Sequence, residues 1–580
     1  MKTIKRTIAF TIGLVMMGGA ASFAQSLADA KKVIDAEQYQ KATGMLKTLT
    51  VSQAKEGDVY FNLGNVYLAV DEVDSAKAVF TKGTIADPKN ALNFVGLGHV
   101  DLYTKNAAAA KANFDKAIEL GKKDYHTYMH IGKAYFENPK PDFDAALPNL
   151  LKADELETKD KDPEVFIALG DFWADQKNNS KAYEQYSKAT DIDPNIKRVA
   201  VQVARMIKMA DGYADAEKRV KDVIGVDANY GPAYRELAEI QLQWSFRDAT
   251  VSKAKREESL TSYKKYLDLT DKSFESRFRY VQFLLYSEDW NTLATELQTL
   301  KVEPNNPKSF IVNRLLGYSA VENKNYDLGV KHITQLFAKK EDAPRIVGLD
   351  YLYLGRAYQG VGNDSLAIVN LVKGVELDTT KVEELATLGQ KLYTAKRYGQ
   401  AADVFKKVIS LNSKNLNMAM NTQYLGMANY WNFAIQNNEK KNPSPQLLVE
   451  ADTAFAKVLK LVPDYEMAAY YRVRVAKAKD TSTPIAGLAA PFYEKFIELV
   501  TVTKPELATK PANVKYLVEA YNYLGAFYAN AQDKEKAKEY FNKTLALDPQ
   551  NTYATETLKI LNGQAAPPSP AAPPKKSPIK

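Results

Sequence analysis

Between Asp162 and Pro194 the apolar residues keep a helical rhythm that is interrupted once. Leu169 and Trp173 are four apart and share one face of a first helix; Ala182, Tyr186 and Ala189, at steps of four and three, share one face of a second. Small Gly170, Ala182 and Ala189 let the two axes approach, and large Leu169, Trp173 and Tyr186 fill the space between them. Pro194 stops the second helix and starts the next unit. β-Branched alternation is scarce along the chain, so the expected fold is all-α.

The pattern recurs. Leu-Gly pairs stand at Leu63-Gly64, Leu97-Gly98, Leu169-Gly170, Leu316-Gly317, Leu354-Gly355, Leu388-Gly389, Leu425-Gly426 and Leu524-Gly525, with Ile131-Gly132 as a variant. Gly64, Gly98 and Gly132 are 34 apart, as are Gly170, Ala204 and Ala238, and Gly355 and Gly389. A fixed period of this length predicts an α-solenoid of stacked helix pairs. These residues resemble the tetratricopeptide repeat of exported bacterial proteins. Asp58 to Pro88 carries Tyr60, Leu63, Gly64 and Tyr67 on the first helix and Ala76, Phe80 and Gly83 on the second; Asn513 to Pro549 repeats this with Tyr521, Leu524, Gly525, Tyr528, Ala537 and Phe541. About fourteen units fit along the chain, beginning with a partial one from Leu27 to Leu49 and then near Gly57, Ala91, Tyr125, Pro163, Lys197 and Gly231.

The expected organisation is a signal peptide over 1–24, a first repeat array over 25–300, a break at 301–309, a second array with a capping helix over 310–562, and an extended Pro/Ala/Lys tail over 563–580. Lys2, Lys5 and Arg6 precede an apolar run from Ile8 to Ala21 and a Ser22-Phe23-Ala24 exit, so export to a bacterial periplasm or envelope is expected. That apolar run is short for a bilayer span, and no transmembrane segment is expected after cleavage. Insertions are expected around Trp244 to Lys255, Asn437 to Gln446, Lys479 to Gly487 and Thr501 to Asn513, and the unit from Phe274 to Leu300 is degenerate.

Composition narrows the function. The 580 residues exceed one compact core, and 46% apolar with 26% charged residues is ordinary for a folded chain. There is no cysteine, hence neither a disulfide nor a lipidated cysteine. Three basic residues in the leader and three lysines in the tail account for six of the eight net positive charges, so the body lacks the excess a nucleic-acid binder needs. No G-x-S-x-G elbow, phosphate loop or H-E-x-x-H occurs, and no catalytic residue or cofactor is expected. His126 and His130 have chelating spacing with His99 one repeat earlier, but the chain offers no fixed further ligands, and no metal is expected.

In the family that the chain resembles, ligands lie in a concave groove lined by the first helix of each pair. Carried over place by place, this implies Phe61, Asn65 and Leu68, then Val95 and His99, then Met129, Lys133 and Glu137. The next unit supplies Glu164, Asp171 and Asp175, and the one after it Arg198, Arg205 and Lys208. A known subclass clamps a chaperone's terminal carboxylate, but Phe61 stands here where it needs Lys, and His126 and His130 replace its later Lys and Arg. The expected function is a non-enzymatic scaffold that binds a peptide or partner protein in this groove. The tail, with Pro570-x-x-Pro573-x-Lys575, is read as a basic tether that can touch an envelope polymer. A glycan-binding or nutrient-uptake accessory role is the alternative, for which exposed Trp244, Trp290 and Trp431 would be the sign.

Overall fold

The computed structural model describes residues 26–564, apart from Asp160, Asp271, 303–305, Pro307, 413–416 and 483–485. The expected signal segment, four of the nine residues of the expected break and almost all of the tail lie outside the described residues. Among the described residues there are 29 α-helices and no strand. The chain divides into two units, one ending at Lys301 and one starting at Val302.

Unit 1 is eight antiparallel hairpins: α1 (Leu27–Asp35) with α2 (Tyr39–Ser52), α3 (Gly57–Ala69) with α4 (Val73–Ala86), α5 (Ala91–Tyr103) with α6 (Ala107–Leu120), α7 (Tyr125–Phe136) with α8 (Phe143–Leu156), α9 (Pro163–Asp175) with α10 (Asn179–Ile192), α11 (Lys197–Met209) with α12 (Tyr213–Val226), α13 (Gly231–Arg247) with α14 (Ser252–Leu269), and α15 (Phe274–Ser287) with α16 (Trp290–Thr299). Unit 2 continues with α17 (Ser309–Glu322) and α18 (Tyr326–Leu336), α19 (Gly348–Gly360) and α20 (Asp364–Leu377), α21 (Val382–Thr394) and α22 (Tyr398–Leu411), α23 (Met418–Asn438) and α24 (Gln446–Leu461), α25 (Glu466–Lys479) and α26 (Ala490–Glu498), α27 (Pro511–Asn530) and α28 (Lys534–Leu547), and a last single helix α29 (Thr552–Leu561).

Five of the eight hairpins of unit 1 turn by the same device. The residue after the first helix's cap is left-handed: Glu37, Asp71 and Lys105 (φ 57°, 58° and 64°), then Lys177 and Asp211 (φ 56° and 60°). The next amide then reaches back into the helix, as Glu72 N–H does to Tyr67 O at 2.8 Å and Gly212 N–H to Ile207 O at 2.9 Å. That next residue often caps the second helix; the Asn178 side-chain oxygen accepts the Lys181 amide at 3.2 Å.

In many hairpins a glycine of the first helix packs on a bulky residue 16 positions later. A Cβ on Gly64 would lie 2.2 Å from the Phe80 ring, one on Gly98 2.4 Å from Phe114, and one on Gly170 2.4 Å from Tyr186. The rings therefore lie flat against bare backbone, which sets the close crossing of the two helices. The insertion around Trp244 is absorbed as helix, α13 reaching 17 residues and α14 18, whereas residues 439–445 form a loop between α23, itself 21 residues long, and α24. Before α27 the chain instead makes a π turn, Leu499–Thr503, and a 3-10 turn, Pro505–Leu507. Helix α29 buries Ala554 and sets Tyr553 edge-on to Phe541, covering part of the last hairpin.

Candidate partner-binding site on the inner face of unit 1

The first helices of successive hairpins pack side by side, α3 on α5, α5 on α7, α7 on α9 and α11 on α13. Side chains at corresponding places thus form one surface. Glu164 on α9 and Arg198 on α11, 34 residues apart, pair at 2.7 Å. Burial works against the charge on Arg198, yet Glu164 and Asp171 outweigh it and hold its pKa above the ordinary value. Asp171 accepts the Tyr186 hydroxyl at 2.7 Å and the Gln202 amide at 3.4 Å; burial raises its pKa. Asp175 and Arg205 are exposed, and burial among neighbouring carboxylates raises Asp175 against the pull of Arg205.

Other residues expected in the groove are packed away. Phe61 and Met129 are 4% exposed, and the Phe61 ring stands edge-on to His130 at 4.8 Å, which ties α3 to α7. Lys208 is 3% exposed and pairs with Glu236 at 2.6 Å and Glu239 at 3.1 Å. These three side chains serve the fold and offer no free surface. Asn65, His99 and Lys133 are half-buried; Lys133 pairs with Glu137 at 3.3 Å, which raises its pKa.

The histidines do not converge. His126 sits between Asp124 at 2.9 Å and Asp162 at 3.5 Å, joining α7 to the start of α9, and their hydrogen bonds push its pKa up to about 9. His130 faces the other way, toward Phe61, and burial lowers it to about 3; burial lowers His99 to about 4. Among the described residues no group of three or more histidines and carboxylates could hold a metal ion. The tryptophans are half-buried: Trp244 stacks on Tyr213 at 6.2 Å under Lys255, and Trp431 stacks on Tyr398 at 6.4 Å under Arg474. The exposed aromatics that would signal a glycan surface are not these residues.

Unit 1 also closes on itself. The corner between α1 and α2 reaches α11 and α13–α15. The Glu37 carboxylate accepts from Arg235 at 2.8 Å, Arg279 at 3.2 Å and the Tyr266 hydroxyl at 2.7 Å. Burial alone would raise its pKa, but the two guanidiniums overcome that and lower it. The Gln38 side chain donates to Leu269 O at 2.9 Å, and a Cβ on Gly231 would come within 3.5 Å of Ala36 O. Burial raises Asp35, opposed by Arg198 and a hydrogen bond from Tyr230. Reading groove places along the sequence misses Glu37, Tyr266 and Arg279. Arg235, at the fifth place of the unit starting at Gly231, is reached by extending that reading one unit further.

In unit 2 comparable carboxylate hubs join neighbouring helices. Asp350 is fully buried, takes two bonds from Arg314 at 2.7 Å and one from Tyr318 at 2.8 Å, and caps α19 through the Val347 amide at 2.9 Å. Glu519 accepts from Tyr470, Tyr493 and Lys477 at 2.8, 2.7 and 2.6 Å.

Comparison with known proteins places two stretches, residues 57–90 and 518–551, in families whose models are described as "Tetratricopeptide repeat". A curated relative, "Tetratricopeptide repeat protein 1" of Schizosaccharomyces pombe, is 23% identical over 139 residues, which is 23% of this chain and 13% of that protein's length. Among solved structures, the C-terminal part of a TPR repeat-containing protein from Cytophaga hutchinsonii is 29% identical, with 49% of this chain and 99% of that one covered at a TM-score of 0.31. PilF of Pseudomonas aeruginosa is 19% identical, with 37% and 97% covered at a TM-score of 0.27.

Proposed function

From the premise that this chain is a tetratricopeptide-repeat protein, we propose that it is a non-enzymatic scaffold of the bacterial cell envelope, binding a partner protein or peptide on the inner face of unit 1. Helical repeats of this kind generally serve protein–protein interaction. The observation that carries the reading is the row of charged side chains presented by consecutive first helices: Glu164 and Asp175 on α9, and Arg198 and Arg205 on α11, with Glu164, Asp175 and Arg205 still exposed. A surface assembled from stacked, pre-formed helices lowers the ordering cost of binding and reads an extended or helical segment along its length. The leader-like residues Lys2 to Ala24 support export, and the basic tail supports a tether to an envelope polymer.

The test is crosslinking in intact cells, followed by pull-down of the protein from the envelope fraction and mass spectrometry. A stoichiometric protein partner, lost in an Asp175→Lys, Arg205→Glu double variant that still folds, is the expected result. Recovery of glycan without protein would replace the reading with the glycan-binding alternative.

A further inference from the structure

We propose that the α1–α2 corner is an internal acidic ligand: Asp35 and Glu37 hold the inner face of unit 1 shut, and a partner opens that face by replacing them with carboxylates of its own. The proposal rests on the scaffold reading and adds the partner's chemistry and its control.

Three observations lead to it. The receiving surface is built for a carboxylate, because two guanidiniums and a phenol from three different helices meet on Glu37, whose side chain is 14% exposed. These partners are 198, 242 and 229 residues from Glu37 in sequence, so the contact closes a long loop and is not part of any hairpin. The donor segment is lightly held: of the nine residues of α1 only Ala30 is buried, whereas α2 buries Ala42, Met45, Leu46 and Leu49. An element with so little buried apolar area opens before the hairpins beneath it do. With the corner withdrawn, Arg198, Arg235 and Arg279 lose Asp35 and Glu37 and retain Glu164, Asp171 and Glu239 as the counter-charges acting on them. That surface is complementary to a segment carrying two carboxylates two residues apart, as the corner itself does.

The chain has no cysteine, so paired spin labels can be placed cleanly on the full-length protein. Labels on Lys32→Cys and Lys264→Cys, both exposed positions, report the gap between the corner and α14 by double electron–electron resonance. The unmodified background should give one narrow distribution. Glu37→Gln should add a longer one, raised about tenfold over background, since 1.4 kcal/mol shifts such an equilibrium tenfold. Tyr266→Phe, which keeps every charge, should do so more weakly, and it keeps the test open should the first variant misfold. A short synthetic Glu/Ala peptide should draw the unsubstituted corner open; Arg279→Glu, which sets a carboxylate against Glu37, should open the corner without peptide and show no further response to it. Unchanged distances in both variants would overturn the latch, and a corner that opens on substitution but ignores the peptide would overturn the acidic ligand. No cellular partner is present in this measurement, so a corner that stays closed in both variants, together with a captured protein, refutes the latch alone. An open corner with nothing captured in cells refutes the scaffold alone.

Discussion

Replacing Gly170 by alanine tests the packing rule that recurs in many of the hairpins. By helix propensity alone the change should stabilise the middle of α9 by about 1 kcal/mol. The new Cβ, however, would lie 2.4 and 2.6 Å from two ring carbons of Tyr186. That ring is 1% exposed, and its hydroxyl is fixed 2.7 Å from Asp171, so it cannot pivot without breaking a bond to a carboxylate. Overpacking costs about 1 to 3 kcal/mol and the charged hydrogen bond contributes about 1.5 to 3 kcal/mol; set against the propensity gain, a net loss of about 1.5 to 5 kcal/mol is expected. Gly44, in the interior of α2 with nothing within 4 Å of its would-be Cβ, is the control, and alanine there should raise stability by about 0.5 to 1 kcal/mol. Urea and thermal unfolding of the full chain, followed by far-UV circular dichroism, should move in opposite directions for the two variants. Equal stability of Gly170→Ala and the unsubstituted protein would refute the claim that ring-on-backbone contact sets the helix crossing.

Further outcomes follow from the charged groups. His126, raised to about 9 by Asp124 and Asp162, contributes stability that is fully present below 6.5 and is lost as pH rises through about 9; His126→Gln should remove that alkaline decline in melting temperature. His99, lowered to about 4 by burial, contributes stability present above 6.5 and lost as pH falls through about 4, so His99→Phe should flatten the acid limb of the same melting curve. Asp350→Ala leaves Arg314 unpaired and α19 uncapped, and should destabilise unit 2 by about 3 to 5 kcal/mol in urea melts, while a loss under 1 kcal/mol would contradict its role as a hub.

The repeat was legible because each unit solves the same local packing problem with the same residue types. Gly57, Ala91, Tyr125, Pro163, Lys197 and Gly231 are the first residues of α3, α5, α7, α9, α11 and α13, and the 34-residue spacing of glycines and their alanine counterparts placed unit starts near each of them. What extra residues do is less legible: around Trp244 nothing local separates a loop from an extended helix pair, and the structure chose helix. The inner face was the least legible part. Family places identify which side of a helix faces inward, but not what stands opposite. Phe61 is covered by His130 from two hairpins further on, and Lys208 is enclosed by Glu236 and Glu239 from the next hairpin. The Glu37 contacts depend on how the first hairpin meets the seventh and eighth, a property of accumulated twist that no local window of sequence contains.

The most direct test of the central claim is a photocrosslinker scan in living cells. A benzophenone side chain is placed in turn at Asp175 and Arg205 on the inner face of unit 1 and at Ile85 and Val226, exposed positions near the ends of second helices. The account predicts that the inner positions capture one and the same protein and the outer positions do not. Capture only from Ile85 and Val226, or none from any position, would contradict a scaffold that binds through its inner face.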